Sequence, residues 1–119
     1  MNELTSVKDL VLINDNGEMI ISGRKLHEFM KIKTPYPKWF QRMCEYGFTE
    51  RLDFTAVGQK CPIANGGYQE VSDHNMTIDM AKELCMIQRT DKGKEARQYF
   101  LQIEKDWNSP EKIMARAIS

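Results

Sequence analysis

A small α+β domain, with two β-hairpins packed against about four helices, is the fold class this sequence predicts. Three observations predict it. Short apolar runs occur in pairs around glycine-bearing turns, several segments repeat apolar residues at helical spacing, and the length suits one core. The chain has 119 residues, 41% hydrophobic and 29% charged, and a single core typically takes about 100–150 residues. Its 17 Lys+Arg balance 17 Asp+Glu, so it is not a disordered acidic or basic tail.

The elements follow in order. Val11-Leu12-Ile13 and Met19-Ile20-Ile21 flank Asn14-Asp15-Asn16-Gly17, and an Asn-Gly pair supplies the positive-φ residues of a tight hairpin turn. Ser22 can cap a first helix by accepting from a free amide of its first turn. Leu26, Phe29 and Met30 form its apolar stripe, and the helix is expected to end near Met30. Thr34-Pro35 reads as an N-cap followed by proline at the first helical position, where no amide hydrogen is missed. Tyr36, Trp39, Phe40 and Met43 continue a second helix, about Thr34 to Tyr46, with Gly47 as its stop.

Asp53 to Val57 and Tyr68 to Ser72 read as a second hairpin, with a mobile tip from Lys60 to Gly67. Thr77 or Asp79 caps a third helix whose inward face is Ile78, Ala81, Leu84, Cys85 and Gln88. Thr90-Asp91 opens a fourth, with Ala96, Phe100, Ile103 and Trp107 on one face. Asn108-Ser109-Pro110 stops it, because proline disfavours helix in the residue before it. Residues 1–108 are therefore read as one domain. Residues 109–119 are read as the start of a linker or helix leading to a further C-terminal domain.

Little here points to catalysis. There is no phosphate-cradling glycine loop, no HExxH and no GxSxG. His27 and His74 are read as structural, His27 on a helix surface and His74 in a strand or loop. No Cys pair has zinc-ligand spacing, so no metal or other cofactor is expected. The cysteines at 44, 61 and 85 are odd in number and widely spaced, which suits a reducing compartment. Cys44 and Cys85 fall near apolar stripes and read as small buried hydrophobes, and Cys61 reads as exposed. The longest apolar runs are far short of the ~20 residues a membrane span needs. No leader with a cleavage site opens the chain. A cytoplasmic location is expected.

Charge is unevenly placed. Residues 22–42 carry Arg24, Lys25, Lys31, Lys33, Lys38 and Arg42 against Glu28, six minus one, or +5. Residues 81–97 carry five basic against three acidic residues, or +2. Arg89, Lys92 and Lys94 gather at the start of the fourth helix, where the partial positive charge of the helix does not complement them. Arg97 lies one turn beyond Lys94. Such a misfit suits a binding site for something negative: carboxylates of a partner or of the same domain, or a DNA phosphate. Gly93 in the first turn allows close approach of another helix or a phosphate. Arg24, Lys25, Lys31 and Lys33 surround the first helix and form a second candidate surface. Zero net charge weakens a general affinity for nucleic acid.

Five segments resemble one family. Ser22-Gly23-Arg24-Lys25-Leu26-His27-Glu28-Phe29 resembles its SGRDLHEFL opening, with Lys25 where an acidic residue is usual. Trp39 to Phe48 resembles WFxRMxEYGF, and Asp53-Phe54 matches the DF that opens the next strand. Met76 to Glu83 resembles MTLDMAKE, and Met86 to Phe100 resembles MIERTEKGKxARxYF. The family is the AntA/AntB antirepressor domain of temperate phages and prophages. The resemblance implies a non-enzymatic regulatory domain that relieves lysogenic repression, with a phage repressor or other regulatory protein as partner. It carries over no catalytic residue. Related phage domains of the KilA-N and BRO type are described as DNA-binding, so a DNA-reading module acting through basic helix residues is the alternative. Methionine content and the final helix leave room for a homo-oligomer.

Overall fold

A computed structural model describes residues 7–107. A short 3-10 turn, Val7–Leu10, leads into strands β1 (Val11–Ile13) and β2 (Met19–Ser22). Helices α1 (Gly23–Phe29) and α2 (Tyr36–Cys44) follow, then strands β3 (Phe54–Pro62) and β4 (Tyr68–Met76), then helices α3 (Ile78–Gln88) and α4 (Asp91–Trp107). The strands form one antiparallel sheet in the order β1-β2-β4-β3. The expected α+β class, with two hairpins and four helices, is what the described residues adopt. The two hairpins share a sheet because β2 pairs with β4 through Ile21↔Met76 and Ser22↔Asn75.

Local chemistry sets the boundaries. In the first hairpin the loop is held by Asn14, whose Oδ1 accepts from the amides of Asn16 and Glu18, each at 2.9 Å. Only Gly17 of the Asn-Gly pair takes positive φ, +79°. An Asx-anchored loop therefore replaces the tight two-residue turn. The Ser22 hydroxyl accepts from the Lys25 amide at 3.2 Å, capping α1 as expected. Thr77 likewise caps α3 by accepting from Met80 N, and the Thr90 hydroxyl accepts from Gly93 N at 3.0 Å. Each such cap stabilises its helix by about 1 kcal/mol.

Several boundaries differ from expectation, among them the end of β4, which runs to Met76 rather than Ser72, and the end of α2, at Cys44 rather than Tyr46. Helix α2 starts at Tyr36, with Pro35 as a cap that makes no side-chain hydrogen bond. Pro37 follows Tyr36 in the first turn, the position proline tolerates. Strand β3 runs on to Pro62, so the tip shrinks to Ile63–Gly67, closed by Ile63 N donating to the Gly67 carbonyl at 3.0 Å. A proline at the end of an edge strand removes no inner ladder bond. The stop at Asn108-Ser109-Pro110 and the final helix lie outside the described residues.

The core lies between the sheet and the helices. Phe29, Met30, Trp39, Phe40, Met43, Met80, Leu84 and Phe100 are all buried, as is Tyr36. Each fully buried large apolar side chain contributes roughly 1.5–3 kcal/mol. Met30, Met43, Met76 and Met80 belong to this core, whereas Met86 is exposed. Glycine at 93 brings α4 close to α3, since a Cβ there would sit 2.8 Å from the Cys85 carbonyl oxygen. The close helix approach expected at Gly93 is present. A Lys82–Glu104 ion pair at 2.7 Å also ties α3 to α4.

Candidate basic cleft and its surroundings

Helix α1 ends by reversing its chain direction. Lys31 takes φ +55°, and its amide donates to the Glu28 carbonyl at 3.0 Å while Ile32 N donates to the His27 carbonyl. Lysine in a left-handed conformation costs about 1 kcal/mol or more. The reversal folds residues 31–36 back beside the helix. Between them lies a cleft of about 670 Å³, lined by Arg24, Lys25, His27, Glu28, Lys31, Ile32 and Tyr36.

The floor of this cleft is built on one buried carboxylate. Asp73 is 0% exposed. It accepts from the Ser22 hydroxyl at 2.6 Å, from Arg24 N at 2.9 Å and from its neighbour His74 N at 2.7 Å. These bonds lock the start of α1 to β4. Tyr36 reaches the same place from α2, with Oη 2.6 Å from His74 Nδ1. Gly23 makes room for it, because a Cβ there would lie 2.2 Å from Tyr36 Oη. Burial, then the neighbouring Asp73, raise the Tyr36 pKa. The hydroxyl therefore keeps its proton and shares a hydrogen bond with the His74 ring. His74 in turn stacks on Phe40, ring centroids 3.7 Å apart.

Above Tyr36 sits Arg24. Its guanidinium carbon is 4.6 Å from the Tyr36 ring centroid, and its Nε donates to the Ser72 carbonyl. His27, expected on a helix surface, is half-buried. Its Nε2 donates to the Thr34 carbonyl at 2.6 Å, and its ring meets Tyr36 edge-on at 5.6 Å.

Burial lowers the His74 pKa, with Asp73 opposing. The sign of the linkage is fixed by that direction. The unfolded chain takes up a proton on His74 near its ordinary value of about 6.5, where the folded chain still resists it. Stability is thus full above about pH 6.5 and declines as pH falls below it. Urea midpoints are expected to drop from pH 7.5 to 5.5, and to drop less in His74→Gln. An equal drop in both proteins would assign the effect elsewhere.

The eight basic residues singled out from the sequence divide between two neighbouring regions. Arg24, Lys25 and Lys31 line the cleft, while Lys33 is exposed outside its lining. Lys92 Nζ lies 4.8 Å from the Phe29 ring centroid, which sets the start of α4 against the end of α1. Lys92 also pairs with Glu95 at 3.7 Å, and Asp91 offsets the helix charge in the same turn. Arg89 and Lys94 are exposed, and among the described residues neither makes a salt bridge. Arg97 turns inward. It is half-buried, its Nε has no partner among the described residues, and its charge acts on Cys85. Burial pushes the Cys85 thiol up to about 12 against that opposing charge, so this cysteine is unreactive.

Arg89 itself caps α3 at φ +55° and borders a second, more apolar groove with Tyr46, Met86 and Ile87. Sequence spacing did not point to this groove, because Tyr46 and Met86 lie 40 positions apart. Nor did it point to Tyr36 and His27 as cleft walls. Their aromatic spacing reads equally as core.

No group of three or more His, Cys, Asp or Glu among the described residues could hold a metal ion. Among the same residues no helix is long and apolar enough to cross a membrane. Three basic side chains, Arg24, Lys25 and Lys31, thus line one cleft of a chain with no net charge. The chain matches the AntA/AntB antirepressor family model over residues 21–90 of its 119, and it belongs to that family. The family is a non-catalytic class of phage regulators. No curated protein and no solved structure matches the chain.

Proposed function

We propose that the domain relieves repression by lying against a repressor, or another regulatory protein of the phage, through its basic α1 cleft and the adjoining start of α4. The observation that carries this reading is the set of cleft cations. Arg24, Lys25 and Lys31 line one concavity, and none makes a salt bridge among the described residues. Unpaired cations confined to a concavity suit an acidic protrusion of a folded partner. They suit a DNA duplex less well, because strong duplex binding rests on many phosphate contacts spread along the helix.

Capture of a co-encoded prophage repressor tests the reading. Arg89→Glu combined with Lys94→Glu is expected to weaken capture about tenfold, mainly through slower association that salt also suppresses. Unchanged capture would remove α4 from the contact. Duplex DNA provides the counter-test. Tight binding at 50 mM salt that falls about 10³-fold by 200 mM would favour a phosphate-contacting module and overturn the protein-partner reading.

A further inference from the structure

We propose that the α1 cleft reads a carboxylate, with Arg24 as a preset fork for a Glu or Asp side chain on a protruding acidic segment of the protein partner. This rests on the reading that the cleft is part of the binding face, and it names what enters it.

Two elements, β4 and α2, hold Arg24. Its own backbone amide is tied to Asp73 on β4, its Nε donates to the Ser72 carbonyl of the same strand, and its guanidinium carbon lies over the Tyr36 ring of α2. Tyr36 cannot swing away, because it is buried and its Oη is bonded to His74. With Nε engaged, the two terminal nitrogens remain, and no acceptor meets them among the described residues. Two parallel N–H donors in one plane are what a carboxylate accepts in bidentate fashion. Fixing that plane beforehand spares the rotamer entropy that a free arginine loses on binding.

The rest of the cleft agrees with this occupant. Lys25 and Lys31 add charge without a fixed plane, and Glu28 on the wall brings the lining to three basic groups against one acidic. A carboxylate tolerates that acidic neighbour better than a phosphate, which carries more negative charge. Lys31 supports the same conclusion from the backbone. It is an exposed side chain held where glycine would be less strained, and it lines the cleft. Strain kept at a ligand-facing position is a known signature of binding sites.

The test uses the full chain and three probes: an oligo-glutamate peptide, inorganic polyphosphate of matched charge, and a single-stranded oligonucleotide. The glutamate peptide is expected to bind tightest. Arg24→Lys keeps the charge and the aliphatic stem but removes the fork, and it is expected to weaken peptide binding about tenfold. Lys105→Ala, in the last turn of α4 and outside the cleft lining, is expected to leave binding unchanged. Lys31→Gly is a second variant that does not risk the fold. It is expected to raise the unfolding midpoint while weakening peptide binding severalfold.

Equal peptide binding by wild type and Arg24→Lys would overturn the fork. Tighter binding of polyphosphate or the oligonucleotide would overturn the carboxylate. The two readings separate cleanly. If Arg24→Lys leaves the peptide unaffected while Arg24→Glu abolishes repressor capture, the basic face stands and the fork fails. If Arg24→Lys weakens the peptide while Arg24→Glu leaves repressor capture intact, the fork stands and the proposed face fails.

Discussion

Replacing Asp73 with alanine is expected to cost on the order of 3 kcal/mol of folding free energy, measured by urea denaturation at neutral pH. A domain of this size is stable by only about 5–15 kcal/mol. The size of the effect comes from what is left behind. The Ser22 hydroxyl and the amides of Arg24 and His74 all lose their acceptor at a site with no exposure to water. Asparagine makes the informative comparison. Both amides donate to the same carboxylate oxygen, Oδ1, and the Ser22 hydroxyl donates to the other. An asparagine oxygen can keep both amide bonds while Ser22 turns to accept from the new NH₂. Its cost should therefore be nearer 1 kcal/mol. If Asn and Ala prove equally costly, the negative charge rather than the hydrogen bonds holds α1 to the sheet.

Gly93→Ala is the second large effect, and it runs against propensity. In an exposed helix the change would stabilise by about 1 kcal/mol. Here the added methyl would sit 2.8 Å from the Cys85 carbonyl and 3.2 Å from the capping oxygen of Thr90. One is backbone and the other holds the helix start, so neither gives way readily. Overpacking of this kind costs about 1–3 kcal/mol. A net loss near 1 kcal/mol or more is expected in thermal or urea unfolding. The displaced start of α4 should also lift Lys92 from the Phe29 ring. A stabilised Gly93→Ala protein would mean that α3 and α4 do not meet as closely as described.

Much of this was legible from residue types alone, and the reasons are local. Ser22, Thr77 and Thr90 cap helices through bonds to amides three residues on, so sequence spacing suffices to find them. The hairpins announce themselves through paired apolar runs. The cleft is different in kind. It joins Arg24, His27 and Lys31 with Tyr36, and it rests on Asp73, 51 positions from Ser22. No periodicity encodes that closure. The basic residues were visible as a cluster, but their unequal roles were not. Arg24 is pinned, Lys92 is paired and packed, and Arg97 turns toward the interior. The α2 start was misplaced because two prolines, Pro35 and Pro37, compete for one first-turn position, and the chain uses the second.

The narrow seam between the hairpins bears on how the chain reaches its native state. β1 with β2, β3 with β4, and α3 with α4 are each neighbours along the chain, so these units can form on their own early. Of the strand pairings among the described residues, the two-residue pairing of β2 with β4, sealed by Ser22 and Asp73, is the one that closes a long loop. The entropic cost of that closure grows slowly with loop length and is met once. Refolding should therefore be rapid for a chain with a four-stranded sheet, with one late step in which the first hairpin and α1 dock on the second hairpin. Variants at Asp73 would slow refolding if docking limits the rate, while changes at the Ile63–Gly67 turn would leave that step untouched.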